Sequence, residues 1–414
     1  MNGRLLAALA LLVVIAALAT DNALLLRLGY VLVGVFLVAF CLSWTSVRWL
    51  DIGRRTRARR TEVGGLCEES FTIVNRGWIP KPWLEMQDHS DLPGHRASRA
   101  LTTLGAGRTR SWVAKTRCRH RGIFTLGPMT VAGGDPLGMF RFERQFPQTA
   151  PFVVYPRTVP LPGLDLSSGY LPGGPAAQRR AQFTTTNVRG VRHYEPGDAF
   201  NRIHWRTTAR RGRLFTKEFE LDPVADIWLV VDMERGVHVG QPLPVRDDAP
   251  VLPWQEREAE VLEPLTEEYA VTIAASLGRR FLDAGKSVGL VAHGQRRLML
   301  QPDRGDRQIG KMLAHLAVLR AAGQADLAQV LTTEGHEFSR HMNVVCITPS
   351  TTLDWVEALR ALRYRGVAGL AVVIEASTFG DAEPSDAVLA ALAARNVPAR
   401  RVRNGDDLAL ALRS

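Results

Sequence analysis

Two carboxylates, Asp232 and Glu234, follow an apolar run at 227–231 in the order Asp232-Met233-Glu234-Arg235-Gly236. Oxygen ligands at the end of a buried strand are what a hard divalent cation such as Mg2+ requires. Arg235 stands beside them and competes for the same charge, so Asp232 and Glu234 are weak metal candidates and no resident metal or other cofactor is expected. Three other patterns fail on spacing. Gly285-Lys286-Ser287 ends like a phosphate loop, but Arg280 stands where its first glycine belongs, and the segment leads from helix into strand. His336-Glu337 with His341 places two imidazoles five residues apart, about 140° round a helix, which is wrong for a shared zinc. No Gly-x-Ser-x-Gly elbow and no Gly-x-Gly-x-x-Gly fingerprint occurs. The catalytic set is empty, and the sequence does not ask for an enzyme.

A second cluster of chemistry-bearing residues lies at 190–220. Asp198, after Pro196-Gly197, stands where an N-cap belongs, and 199–211 reads as a short helix closed by Gly212. On such a helix Arg202, Arg206 and Arg210 fall along one face. One reading pairs this stripe with Glu195, Glu218, Glu220 or a neighbouring domain, making 190–221 a joint. The other leaves it free to grip an acidic partner segment, lipid phosphates or nucleic acid.

The elements that must position these residues differ on the two sides of the joint. After it, buried apolar runs at 227–231, 287–292, 342–347 and 370–374 alternate with helical stretches at 267–284, 306–321, 353–365 and 385–395. That alternation predicts an open α/β domain over 222–414 with a parallel sheet covered on both faces. Ligands in such folds gather at the carboxyl ends of strands, which points to Asp232, to Thr348-Pro349-Ser350 and to Glu375. Before the joint, short β runs at 71–74, 83–86, 111–114, 123–126 and 152–155 are separated by Gly, Pro and Asn. They predict a β-sandwich of immunoglobulin-like or fibronectin-like type over 62–161, followed by a linker at 162–189. The cluster at 133–138 reads as a tight turn, since no helix follows it.

The N-terminus is apolar. Residues 5–19 form a run of only about 22 Å as a helix, short for a hydrocarbon core of ~30 Å. After a turn at 20–22 a second run continues to Trp44, broken by Arg27. A transmembrane hairpin over 1–47 is the expectation, with a signal peptide as the competing reading. Arg48, Arg54, Arg55, Arg57, Arg59 and Arg60 then form a basic juxtamembrane segment at 48–61, which places the soluble part in the cytoplasm. The formal net charge of +11 suits an anionic membrane face. Arginine richness also follows from coding bias, so a nucleic-acid partner is not favoured. Cys41, Cys67, Cys118 and Cys346 lack paired spacing and read as ordinary buried thiols.

The run Gly190, Arg192, Tyr194, Pro196-Gly197-Asp198, Arg202, Ile203, Trp205, Ala209-Arg210, Lys217-Glu218 resembles the signature of a bacterial membrane-protein family called domain of unknown function fifty-eight. Residues 121–128 and 135–140 resemble that family's β-domain motifs. With Arg206, the positions Arg192, Tyr194, Gly197, Asp198, Arg202, Trp205, Arg210, Lys217 and Glu218 are then the signature or interaction residues. The resemblance implies a von Willebrand factor A-like C-terminal domain and a partnership with a MoxR-type AAA+ ATPase, sometimes with a transglutaminase-like membrane protein. A von Willebrand factor A domain starts its magnesium site with Asp-x-Ser-x-Ser; here Glu234 and Gly236 replace the serines. The expectation is a membrane-anchored cytoplasmic adaptor in chaperone-like remodelling. The alternatives are a metal-dependent hydrolase centred on Asp232 and a nucleic-acid binder using the arginine stripe. A Pro-rich and then acidic insertion at 237–263 would emerge beside Asp232.

Overall fold

A computed structural model describes residues 3–20, 22–162, 188–195, 198, 200, 203–219, 226–242, 262–340 and 342–413. The chain divides into two compact units, one built on Met1–Thr158 and one on Val159–Pro242, Leu262–Met312 and Leu319–Ser414.

The first unit begins with two apolar helices, α1 (Gly3–Thr20) and α2 (Ala23–Ser46). Asn22 caps α2 by accepting from the Leu24 N–H. Among the described residues, α2 alone is long and apolar enough to cross a membrane. The strands that follow are β1 (Leu50–Thr56), β2 (Arg60–Glu62), β3 (Leu66–Asn75), β4 (Lys81–Asp88), β5 (Arg99–Leu104), β6 (Thr109–Arg117), β7 (Gly122–Leu126), β8 (Met129–Gly134), β9 (Arg141–Phe146) and β10 (Ala150–Tyr155). They form sheets of order β1-β3-β6, β5-β4-β8-β9 and β2-β10-β7. In β3 every second residue is buried, from Cys67 to Asn75, as a strand with one covered face requires. Phe71 and Ile73 from the first sheet and Leu84, Met86 and Val131 from the second share one core, so these two sheets face each other.

The expected basic segment at 48–61 is therefore largely strand. Arg54 of β1 is buried, donating from Nε and Nη2 to both oxygens of Glu69 at 2.7 and 2.6 Å and from Nη1 to Asp88 at 3.0 Å. His95 Nε2 lies 3.0 Å from Glu69 and 3.2 Å from Asp88. With His95 protonated, two cations face two carboxylates and the charges balance, which makes so dry an arrangement tolerable. Burial works against the Glu69 charge, but the bonds from Arg54 and His95 overcome it and hold its carboxyl down at about 2. Burial likewise works against a charged His95, yet Asp88 and Glu69 raise its pKa. The thiols also divide: Cys67, Cys118 and Cys346 are buried, whereas Cys41 is exposed on α2, contrary to the expectation from sequence.

The end of α2 is fastened to this unit. The buried Lys81 ammonium donates to the Thr45 carbonyl, and the Ser43 hydroxyl donates to Asp135 at 3.0 Å. Gly133 of β8 lies so close to the helix that a Cβ there would stand 2.4 Å from Ser46 Oγ.

The second unit opens with an antiparallel pair, β11 (Val188–His193) and β12 (Phe215–Phe219), joined through α3 (Trp205–Arg211). It continues with β13 (Ile227–Val231), α4 (Thr266–Asp283), β14 (Val288–His293), β15 (Arg297–Asp303), α5 (Asp306–Val318), α6 (Leu327–Thr333), β16 (Asn343–Thr348), α7 (Asp354–Tyr364), β17 (Ala368–Ile374), α8 (Asp386–Ala394), β18 (Ala399–Val402) and α9 (Leu408–Ala411). The sheet order is β15-β14-β13-β16-β17-β18, with β15 antiparallel to β14 and every other pairing parallel. The sheet is thus mixed, not purely parallel. Lys286 N–H bonds back to Phe281 and Gly285 N–H to Leu282, so Gly285-Lys286-Ser287 is the stop of α4.

Removing one partner of the Arg54 network strands the others. Glu69→Gln is expected to destabilise the first unit by on the order of 3 kcal/mol near neutral pH. The Glu69 carboxyl is held below its ordinary value of 4.5. Its contribution is therefore complete above that value and lost as pH falls through about 2. The raised His95 contributes fully below its ordinary 6.5 and loses its share as pH rises through the raised value. Pulsed thiol labelling of Cys67 and Cys118 reads this unit and labelling of Cys346 reads the other. Faster labelling of the first pair alone is the expected result, and unchanged labelling would show that the network contributes nothing.

Candidate functional site

The chain steps from β13 to β14 on one side and later returns to β16 on the other, so the winding reverses beside β13. Crevices at the carboxyl ends of strands form at such reversals. Here the two strand ends bring Asp232 and Thr348 together: the Thr348 hydroxyl donates to Asp232 Oδ2 at 2.6 Å, and the Glu234 N–H donates to Oδ1 at 3.1 Å. Thr348 Oγ1 in turn accepts from the Ser350 N–H at 2.9 Å. His238 bridges the Asp232 carbonyl, 2.9 Å from Nε2, and the Thr266 hydroxyl, 3.1 Å from Nδ1. Asp326 caps α6 by accepting from the Gln329 N–H.

Four acidic side chains along this edge fall into two kinds. Glu334 is fully buried but receives two bonds from Arg297, at 2.7 and 2.8 Å, and one contact from His293 at 2.8 Å. Its carboxyl is held low, chiefly by the Arg297 bond. Burial opposes the charge on Glu375, but the Ser385 hydroxyl and N–H, the Ser377 hydroxyl and Arg401 at 2.7 Å together keep it low. Asp232 and Glu234 have no such cation: among the described residues neither makes an ion pair, and Arg235 points its charge into solvent exposure. Burial pushes Asp232 up to about 6, and the charges of Glu234 and Asp326 add to that. Glu234 is raised too, by burial first and then by Asp326. An unneutralised, partly buried pair of carboxylates at a strand-end crevice is chemically a receptor for positive charge.

The joint is built differently from the sequence expectation. Asp198 is not an N-cap; its carboxylate accepts from Arg192 at 2.6 Å, from the Glu195 N–H at 3.1 Å and from the Thr216 hydroxyl at 3.2 Å. The cap of α3 is His204, whose ring accepts from the Thr207 N–H, so the helix starts at Trp205 and not at 199. Gly212 ends it at φ 65°, the left-handed conformation that favours glycine. Tyr194 N–H donates to the Leu214 carbonyl, and Lys217 pairs with Val191 across the β11–β12 ladder, next to Glu218 opposite Gly190. Trp205, Arg206 and Arg210 are exposed on α3, and neither arginine makes an ion pair among the described residues. Gly197, Arg202 and Glu220 lie outside the described residues, as do His341 and 243–261 of the insertion. The sequence reading missed Asp326, although its position just before the apolar helix α6 is an N-cap signal, and it missed His238 and Thr266, which no local pattern marks.

These features define an open, doubly wound α/β domain with a polar carboxyl edge, on a chain that also carries an apolar N-terminal helix. Residues 190–242 and 262–380 match the family described as "Protein of unknown function DUF58". A relative is the uncharacterized protein YeaD of Bacillus subtilis, 25% identical over 228 residues that cover 54% of this chain and 49% of that protein. The chain thus spans about half the length of the curated relative it matches. Solved structures with local likeness include the CARDB domain of the PF1109 protein from Pyrococcus furiosus, at 13% identity and TM-score 0.20 over 25% of this chain and 91% of that one. A FixG-related protein from Vibrio parahaemolyticus matches at 8% identity and TM-score 0.18, over 26% and 98%.

A carboxyl whose folded pKa is raised binds its proton more tightly in the folded state, so the stability it contributes falls as pH rises from 3.8 to about 6. Asp232→Asn is expected to gain on the wild type across that window, by on the order of 3 kcal/mol at most, with Cys346 labelling as the readout. A difference that does not change with pH would mean that Asp232 is not the group responsible.

Proposed function

We propose that this chain is a membrane-anchored cytoplasmic adaptor. In this reading α1 and α2 form a two-span hairpin, and the second unit is a von Willebrand factor A-like domain that recruits a MoxR-type AAA+ ATPase. The observation that carries the reading is the pair Asp232 and Glu234, left without a cation at the reversal point of the sheet while Glu334 and Glu375 nearby are neutralised. A basic loop of a protein partner would supply the missing charge. The doubly wound strand order supports the domain assignment. The arginine excess after α2 supports the cytoplasmic orientation.

A second reading, a metal-dependent hydrolase, draws on the same two carboxylates. Among the described residues no group of three or more His, Cys, Asp or Glu is placed to hold an ion. Calorimetric titration with magnesium and manganese tests it, and saturable binding lost in Glu234→Gln would favour it over the adaptor.

Affinity capture of the detergent-solubilised full chain, with and without ATP, tests the adaptor. The expected outcome is ATP-dependent recovery of a MoxR-type ATPase, lost in Glu234→Lys and kept in Glu383→Lys, an exposed position elsewhere on the unit. Recovery that ignores Glu234→Lys would move the docking site, and no recovery at all would overturn the reading.

A further inference from the structure

The turn between β8 and β9 lies against the side of α2, well short of the helix end. The Phe140 ring is 4.9 Å from Phe36 and 5.4 Å from Phe40, centroid to centroid, and Phe142 is 5.8 Å from Phe40. A hydrocarbon core of ~30 Å needs about 20 helical residues. Counted from Ala23, where α2 begins, that length ends near Leu42. Phe36 then lies about 9 Å inside the boundary at 1.5 Å per residue. If the boundary were moved back to Phe36, only about 21 Å of helix would remain for the core, and the exposed Leu37 and Val38 would face water. The helix therefore cannot place its apolar length in lipid without taking the turn with it.

The turn is built for that environment. Irregular backbone at membrane depth must satisfy its polar groups internally. Pro136 has no N–H, and the Leu137, Met139 and Phe140 N–H groups donate to the Asp135 carboxylate at 2.9, 3.2 and 2.8 Å. The Gly138 N–H donates to the Asp135 carbonyl, and the Phe140 carbonyl accepts from Ser43 Oγ. Every backbone donor from 136 to 140 is thus accounted for, while Leu137 at the tip is 59% exposed. Between tip and helix runs a groove of about 370 Å³, lined by Val31, Gly34, Val35, Val38, Leu42 and Leu137 among others. Around the helix exit stand exposed Trp44 with Arg48 stacked on it at 3.9 Å, exposed Trp49, and Trp78 at 81% exposure. Tryptophan and arginine together mark the headgroup level of a membrane.

We propose that the turn 135–140 is a wedge inserted into the cytoplasmic lipid leaflet beside α2, and that a phospholipid acyl chain occupies the groove. This rests on the reading of α2 as a membrane span. The test uses the full chain in phosphatidylcholine–phosphatidylglycerol vesicles, in a Cys41→Ser background, with a fluorophore on Leu37→Cys, Leu137→Cys or Val113→Cys. The last is an exposed site on the outer face of β6. Lipids carrying a quencher on the acyl chain are expected to quench positions 37 and 137 several-fold more than 113. Quenching at 37 with none at 137 beyond that at 113 overturns the wedge and leaves the span intact. Quenching at neither overturns both.

Discussion

The first unit depends on how a helix end is satisfied. The last four carbonyls of any helix lack partners inside it, and the negative end of its dipole favours a cation. The last turn of α2 contains no basic residue. Lys81, at the start of β4, supplies the charge from outside and is itself fully buried in doing so. Asp135, just past the C-terminal end of the antiparallel neighbour β8 and so at the same edge of the sheet, takes the Ser43 hydroxyl of the same turn. Since only residues 47–49 separate α2 from β1, the helix is an integral element of the β unit and not a tether. Its direction fixes the direction of the strands.

The same principle, that a buried charge must meet its opposite, sorts the carboxylates elsewhere. In the first unit Glu69 and Asp88 face Arg54 and His95. At the sheet edge of the second unit Glu334 faces Arg297 and Glu375 faces Arg401. Arg54, Arg297 and Arg401 are thus taken up in internal pairs, although such neutral pairs leave the net charge of +11 as it is. Asp135 is held by a hydroxyl and backbone N–H groups instead of a cation, whereas Asp232 and Glu234 lack a cation at a reversal point of the sheet, where binding chemistry belongs.

The α/β unit was the more legible half. Short continuous apolar runs such as 227–231 and 370–374, alternating with helical stretches, read as strands covered on both faces, and they fall within β13 and β17. β15 escaped because it is an antiparallel edge strand whose side chains mix Arg297, Gln301 and Asp303 with apolar residues. β1 escaped for a deeper reason. Arg54 looks like one of a cluster of solvated charges until Glu69 and Asp88 arrive from strands fifteen and thirty-four residues away. Asp198 was misread for the same cause: its local pattern fits a cap, but Arg192 and Thr216 claim its oxygens first. At the candidate site, Asp232 and Thr348 were both visible as strand ends. Their bond was not, because the order of strands in a sheet is a property of the whole fold.

Thr348 is the residue that fixes the Asp232 carboxylate in its crevice. Its hydroxyl holds Asp232 Oδ2, and its oxygen is in turn held by the Ser350 N–H, so the donor is fixed in place by the strand end that carries it. The other oxygen is occupied by the Glu234 backbone. Each Asp232 oxygen accepts one bond and keeps a second lone pair, but the residue is 2% exposed, so a bare ion would have to shed most of its water to reach it. A side-chain cation can approach Glu234 from solvent, because Glu234 is the less buried of the two. The geometry therefore favours Glu234 as the point of contact and Asp232 as the buried charge that deepens the field behind it, which is the arrangement a protein partner's basic residue would use.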